Sequence, residues 1–448
     1  MLNKYLLVLL CCLLNSGCFL FGHTYTKPPI NLPEKWPSKH NVQGNEHLNL
    51  PYMMWWKQFN SPELNAFIEK ALQHNGLPKI AVANIDYAHS QLEQVKLNWI
   101  PNMTLLTGFS QFPILGNPGN TIIAYPLYIV NILQLYKQQK SAKAIYEASI
   151  YANDCAKIVV IAQTSTGFFT LIAQTEAISL YTKLLSDYRI YLKLAISQYR
   201  AGLTDEDNVY QLRSQIRQIQ SQIDITEHNI AVSKNALHYL FNESPGNLTL
   251  KKSFKTINSN GVIPGNLPVS VLNARPDILA AEALLRASHA DIGAVAANLL
   301  PSITLGAYLG KGSSLNGPIK LGEAYLNTPV IDLPVFAEIS ANKARYKALY
   351  IKYIVTVKEA LRDVDNDLSA YWAYSSQLNN TIAAFTDEQQ HCHLAERRFH
   401  HGINNNIDVI QCKIKLIQFE LMINQSKLKK MLAIVTLYQD LAGGYRGA

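Results

Sequence analysis

Tyr346-Lys347-Ala348-Leu349-Tyr350-Ile351-Lys352-Tyr353-Ile354-Val355-Thr356-Val357 lies inside the run that decides the fold, Val335 to Ala442. Between Pro334 and Gly443 there is no proline and a single glycine, Gly402. Good helix formers (alanine, leucine, lysine, glutamine, glutamate) fill both sides of it. Tyr346, Tyr350, Tyr353, Val357, Ala360 and Val364 recur at alternating spacings of four and three, which is a coiled-coil-like seam. The pattern predicts two helices of roughly 65 and 40 residues meeting at Gly402, the longer about 100 Å at 1.5 Å per residue.

Moving outward, the same hairpin occurs earlier. Tyr199-Arg200-Ala201-Gly202-Leu203-Thr204 stands 200 positions before Phe399-His400-His401-Gly402-Ile403-Asn404. Val209 and Gln211 recur as Val409 and Gln411, and Pro101, Thr104 and Leu105 as Pro301, Thr304 and Leu305. An offset held with so little drift indicates an internal duplication, a two-fold sequence repeat.

The bulk numbers agree with long helices that face partners on several sides. Of 448 residues 48% are hydrophobic and only 16% charged, against roughly a quarter in an average chain. The formal net charge of +8 comes from scattered residues that form no Lys/Arg stripe, which argues against nucleic acid as a partner. Cys11, Cys12 and Cys18 belong to a leader. Cys155, Cys392 and Cys412 stand isolated on predicted helices without C-x-x-C spacing, so neither a disulfide framework nor a zinc site is expected.

Residues 1–17 read as an export signal: Lys4, then the short apolar core Tyr5 to Leu14, then Ser16 and Gly17 before Cys18. A small pair before a cysteine resembles a bacterial lipobox, although Asn15 departs from its usual third residue. Cys18 is therefore the expected lipidation site, carrying diacylglycerol and an acyl chain. The apolar core is too short to span a bilayer and no later stretch approaches 18 uninterrupted apolar residues, so a membrane crossing would use strands.

An extended lead-in covers 18–52. The first repeat, 53–244, opens with helical pattern from Trp55 to Ile100, broken near Asn75-Gly76 and stopped by Pro101. Met103, Leu105, Thr107 and Phe109 then alternate with smaller or more polar residues, and Ile303, Leu305, Ala307 and Leu309 do the same in the second repeat, 276–442. Period two with one apolar face fits a barrel strand between lipid and a wet lumen, and equally a half-buried strand of a soluble sheet. Strands are expected at about 102–112 and 121–132, and at about 302–310 and 324–333, with glycine- and proline-rich loops between the members of each pair. Pro126 and Pro329 fall inside the second strands and require edges or bulges there. A linker, 245–275, joins the repeats, Arg275-Pro276-Asp277 opens a helix, and 443–448 is a tail. The fold class is mainly α with a small transmembrane β part. Four strands cannot close a barrel, and an open edge is not allowed in lipid, so several chains must share one.

Trp56, Phe59, Pro62, Glu63 and Leu64, Arg275-Pro276-Asp277-Ile278 with Ala281-Glu282, and Ala290-Asp291-Ile292-Gly293 form an ordered set. Leu300-Pro301-Ser302-Ile303, Leu333-Pro334-Val335-Phe336, Phe399 with Gly402, and Leu437-Tyr438 before Gly443-Gly444-Tyr445 continue it. In this set the chain resembles the TolC-like outer-membrane factors, specifically the OprM/NodT-type lipoprotein branch. The resemblance implies a homotrimer with a twelve-stranded outer-membrane barrel and a periplasmic α-helical tunnel in a Gram-negative bacterium. Such a channel would take small molecules or drugs from an inner-membrane pump, of the RND or another class, through a periplasmic adaptor, with no cofactor and no catalysis.

The same resemblance makes Arg200, Ala201, Gly202, Leu203 and Thr204, with His401, Gly402, Ile403 and Asn404, the adaptor-docking tips. Taken alone, the two glycines need only reverse the chain. It also places a periplasmic gate at Asp408 and Gln411, within Asp408-Val409-Ile410-Gln411-Cys412-Lys413-Ile414. There the family carries a second acid where Gln411 stands and an arginine where Ile414 stands. A lost acid ring would weaken cation selectivity; Asp408 is also what a helix start favours on its own.

His391-Cys392-His393 with His400 and His401 invites a metal, but residues two apart on a helix do not share a face. Asp363, Asp365 and Asp367 read as a solvated strip, and no catalytic motif is present. The leading function is the exit duct of an efflux system. The alternatives are the duct of a type I protein secretion system and a pore-less coiled-coil envelope lipoprotein.

Overall fold

The computed structural model describes residues 24–29, 33, 36, 50–110, 119–250, 253–258, 269–312 and 318–446. The leader, Cys18, most of the lead-in and the tips of both strand-connecting loops lie outside the described residues.

The chain is predominantly helical with one small antiparallel sheet, in the order α1 (Pro62–His74), α2 (Gly76–Leu97), β1 (Asn102–Ser110), β2 (Gly119–Val130), α3 (Ile132–Arg200), α4 (Glu206–Leu240), α5 (Pro276–Ala296), β3 (Ser302–Gly312), β4 (Pro318–Asn327), α6 (Leu333–His400) and α7 (Asn406–Asp440). Helices α3 and α4 have 69 and 35 residues, α6 and α7 have 68 and 35, in place of the roughly 65 and 40 read from composition. Ser61 caps α1, its hydroxyl accepting from the Leu64 amide, and Pro62 takes the first helical position. Helix α5 starts at Pro276, as the Arg275-Pro276-Asp277 signal requires.

Two compact units share these elements. One holds Ala81–Asn153 and Pro276–Val357; the other holds Asp154–Arg275, Lys358 onward and the described residues between 33 and Ile80.

The first unit carries the sheet, ordered β1-β2-β3-β4, so that β1 and β4 are its edges. Asn102 pairs with Leu127, Thr121 with Gly312 and Ser302 with Asn327. Pro126 sits in a central strand. It still faces Met103 across to β1, but the ladder to β3 lapses between Ala124–Leu309 and Leu127–Gly306, where proline has no N–H to give. The expected second and fourth strands are corrected. β2 runs 119–130 rather than 121–132 and yields to α3 at Ile132. β4 runs 318–327 rather than 324–333. A strand follows the length of the partner it bonds with, and β4 matches β3 from Pro318 to Asn327. Pro329 then lies beyond the end of β4, and the apolar run Val330, Ile331, Leu333 stands exposed outside the sheet.

In the second unit Trp55 stacks on Tyr438 with ring centroids 5.1 Å apart, and Phe59 meets Phe169 edge-on at 4.8 Å. Val160, Leu171, Leu237 and Phe241 bury a second cluster with Ala71. The tail is tied in: the Gly444 amide donates to the Leu50 carbonyl and that of Arg446 to Pro51. Gly444, at φ 90°, leaves room for the Trp56 ring, which an added Cβ would approach to 2.5 Å. The linker is held by Lys427, whose Nζ donates to the carbonyls of Phe254 and Lys255. Helix α3 contains an apolar window long enough to cross a membrane, yet 56% of it is buried within the chain.

The seam of α6 is buried from Tyr353 through Val357, Ala360 and Val364, while Tyr350 is exposed. Asp367 corrects the reading of a solvated acidic strip: one carboxylate oxygen is buried without a partner among the described residues. Burial, and after it the Asp440 carboxylate, push it up to about 8. The seam that buries Val364 turns Asp367, three residues on, the same way.

Candidate functional site

The sheet has two chemically distinct faces. The pairing register puts Met103, Leu105, Phe109, Ile122, Leu305 and Leu309 on one face, all exposed. Thr104, Tyr125, Thr304, Tyr308 and Glu323 share the other, together with the exposed Leu106, Ile129 and Leu321. On that second face Tyr125 and Tyr308 stack with centroids 4.5 Å apart. The Tyr125 hydroxyl donates to Glu323 Oε1 at 3.4 Å and the Tyr325 hydroxyl to Oε2 at 3.2 Å. Gly306 is the cross-strand partner of Glu323, and a Cβ there would lie 2.6 Å from its Oε1. The absent side chain makes room for the carboxylate. Sequence reading missed Glu323; the signal available was an acid in a strand opposite a glycine.

The two hairpin turns in the second unit have the same geometry. Gly202 and Gly402 have φ 73° and 71°, the left-handed region where an L side chain is strained. At each turn the glycine amide donates three residues back, Gly202 to Tyr199 and Gly402 to Phe399. The next amide reaches five back, Leu203 to Gln198 and Ile403 to Arg398. This pair of bonds satisfies the last carbonyls of a helix and stops it. Arg200 ends α3, Ala201 and Thr204 flank Gly202, and His401 and Asn404 flank Gly402. Leu203 and Ile403 project at the turns, 74% and 72% exposed.

Asp408 and Gln411 come together with Asn404, Arg398, His391 and Cys412 around a cleft of about 350 Å³. Asn405 caps α7, its side-chain oxygen accepting from the Asp408 amide at 3.1 Å, so Asp408 stands in the first turn. Gln411 Nε2 donates to the Tyr191 hydroxyl at 2.6 Å. Ile414, where the resemblance carries an arginine, is buried in a cluster with Leu184, Leu185, Ile219, Ile223 and Ile410. It packs; it does not bond.

The isolated cysteines are corrected as well. Cys392 and Cys412 form a disulfide with Cα atoms 5.4 Å apart, and Cys155 takes no part in it. They sit ten residues either side of Gly402, and the turn folds those positions to one level. Symmetry about the turn was the signal. Ligand atoms of Glu388, His391 and Cys412 lie within 4.8 Å of one another. Glu388 is already engaged by His391 Nδ1 at 3.2 Å and has Lys415 Nζ at 3.9 Å. His391 and His393 are not brought to one site.

This arrangement of long helical hairpins and a four-stranded sheet is that of the outer-membrane channels. The chain matches the open-state MtrE channel of Neisseria gonorrhoeae with TM-score 0.82 at 22% identity, over 95% of this chain and 98% of that one. The outer-membrane channel OprN gives TM-score 0.79 at 21% identity, over 94% and 99%. Residues 267–443 match the model of the family described as outer membrane efflux protein. Similarity of sequence extends over nearly the whole chain: 26% identity to the solvent efflux pump outer membrane protein SrpC of Pseudomonas putida, covering 97% of each. It is 23% to the probable outer membrane lipoprotein SilC of Salmonella typhimurium, covering 96% of each. The chain is therefore similar to outer membrane efflux proteins over nearly its whole length, and its residues 267–443 carry that family's pattern.

Proposed function

We propose that this chain is the outer-membrane exit channel of an efflux system, acting as a homotrimer without catalysis of its own. One observation carries the reading: among the described residues a four-stranded sheet exposes a run of large apolar side chains on one face, gathers the Tyr125–Tyr308–Glu323 cluster on the other, and ends in two edges, β1 and β4. A sheet of this kind cannot stand alone in lipid, because each unpaired N–H and C=O there costs several kcal/mol. Joining β1 of one copy to β4 of the next satisfies every edge when the ring closes. Three copies give twelve strands, inside the range of closed outer-membrane barrels.

The apolar face then meets lipid and the Tyr125–Tyr308–Glu323 face lines the lumen. The matching lengths of the two hairpins, and their turns 200 positions apart, support a duplication in which both halves contribute equivalently. The turns at Gly202 and Gly402, with Leu203 and Ile403 exposed, are the docking points for a periplasmic adaptor that links the channel to an inner-membrane pump. Cys18, outside the described residues, carries the lipid anchor. Several relatives are named for efflux of solvents, toluene or antibiotics, which favours small molecules over secreted proteins as cargo.

The test is assembly and transport measured together. Native mass spectrometry of the full chain in detergent is expected to give a trimer, and envelope fractionation to put it in the outer membrane. A deletion strain is expected to accumulate a fluorescent efflux substrate until the gene is restored. A monomer that keeps its strand content, or accumulation that restoration leaves unchanged, would overturn the reading.

A further inference from the structure

The Cys392–Cys412 pair has no counterpart in the first hairpin. At the offset of 200 positions that relates the two turns, these cysteines correspond to Leu192 and Leu212. Leu212 is buried and Leu192 half-buried, so the first hairpin carries apolar residues at this level. The second closes it with sulfur, Cys392 and Cys412 being almost fully buried with Cα atoms 5.4 Å apart. We propose that this disulfide is a covalent staple acquired on export, which locks α6 against α7 in the second hairpin alone.

The inference rests on the reading that the hairpins face the periplasm, an oxidising compartment. The chemistry balances with a disulfide-bearing thiol oxidant of that compartment. The Cys392 thiolate attacks one sulfur of the oxidant, forming a mixed disulfide and freeing its other thiol. The Cys412 thiolate then displaces the oxidant from Cys392, so two electrons and two protons leave the chain and one oxidant disulfide becomes two thiols. Because both sulfurs are buried once the hairpin has closed, the exchange belongs to folding rather than to the finished channel.

Mechanically, a bond ten residues from the turn on both arms forbids α6 and α7 from sliding past each other. Rearrangement at this end of the unit then falls to the contact between hairpins, the hydrogen bond from Gln411 to Tyr191. A metal at Glu388, His391 and Cys412 is the competing use of the same atoms. It is disfavoured because the Cys412 sulfur is consumed in the bond and the Lys415 ammonium, 3.9 Å from the Glu388 carboxylate, occupies the charge partner's place.

The experiment uses the full chain with its leader, thiols trapped in acid, and peptide mapping of the outer-membrane fraction. A linked peptide joining Cys392 to Cys412, with Cys155 alkylated as the internal control, is expected. The same chain retained in the cytoplasm by deletion of residues 1–17 is expected to yield both thiols free. Hydrogen exchange of amides 393–411 is expected to be about tenfold faster in chain folded under reductant than in the oxidised chain, with 193–211 unchanged. Cys392→Leu/Cys412→Leu, which installs the first hairpin's solution, guards against a folding failure: it is expected to reach the outer membrane at normal abundance and show the fast exchange without reductant. Free thiols in chain that has reached the outer membrane, stoichiometric zinc or copper on the purified protein, or exchange indifferent to reduction would each overturn the staple. A chain absent from the outer membrane would instead overturn the reading beneath it.

Discussion

Gln411 Nε2 lies 2.6 Å from the Tyr191 hydroxyl, and this hydrogen bond joins the second hairpin to the first 220 residues away in sequence. Gln411 is otherwise exposed, so the bond is worth about 0.5–1.5 kcal/mol, enough to bias two arrangements of the hairpins without fixing either. Tyr191→Phe and Gln411→Ala are expected to raise the open fraction of the channel to the same degree. The double variant is expected to add nothing to either single one. Single-channel recording in planar bilayers, read as a double-mutant cycle, checks this; additive effects would show that the two side chains act separately.

The Tyr125–Tyr308–Glu323 face of the sheet places one carboxylate per chain, Glu323, where three copies would form a ring of negative charge. Such a ring favours cations. Glu323→Gln keeps the acceptor oxygen while removing the charge, so the strand contacts with Tyr125 and Tyr325 can persist. The reversal potential under a salt gradient is expected to move toward zero, and the trimer to survive. An unchanged reversal potential would remove Glu323 from the selectivity of the pore.

Much of this was legible in the chain because its helices are long and uninterrupted. Helix ends are written locally: Gly202 and Gly402 punctuate runs of helix formers, and Pro101, Pro276 and Pro301 mark where helices stop or start. Strand limits were less legible. β4 ends where β3 ceases to offer a partner, a non-local fact that the apolar Val330, Ile331 and Leu333 disguised. Cys392–Cys412, Gly306–Glu323 and Gln411–Tyr191 are all pairs. Composition reports single residues, and pairs appear only once the turns and the register are known.

Gly202 and Gly402 separate folding from docking. Nothing lies within 4 Å of a Cβ added at either, so Gly→Ala there meets only the backbone cost of positive φ, about 1 kcal/mol each. A drop of a few degrees in Tm with efflux intact is expected. Leu203→Asp and Ile403→Asp are expected to do the opposite, leaving Tm and chain abundance unchanged while abolishing efflux, because an unpaired charge would be buried under a docked adaptor. Immunoblotting and substrate accumulation in the same cells distinguish the two. Normal efflux in both aspartate variants would leave the glycines as turns and nothing more.

Two half-buried groups in the second unit, Asp367 and Lys427, are shifted toward pH 8 from opposite sides, so their contributions to stability change in opposite directions on either side of it. Asp367 is pushed up to about 8 by burial, then by the Asp440 carboxylate and the more distant Asp363, against the Thr436 hydroxyl, which pulls it down. An acid with a raised folded-state pKa holds its proton more tightly when folded, so stability declines as the pH rises from the ordinary carboxylate range to about 8. Lys427 is pushed down to about 8 by burial, with Lys430 adding to the shift and Glu176 opposing it. The folded state then binds fewer protons than the unfolded one between about 8 and the ordinary lysine value, so stability recovers as the pH rises through that interval. Thermal unfolding across pH 5 to 10.5 is expected to trace both limbs. Asp367→Asn is expected to flatten the acid limb. Lys427→Met is expected to flatten the alkaline limb while lowering the whole curve, because the Phe254 and Lys255 carbonyls lose their donor. A Tm that rises steadily between pH 5 and 8 in the parent would show that Asp367 is ionised in the folded chain.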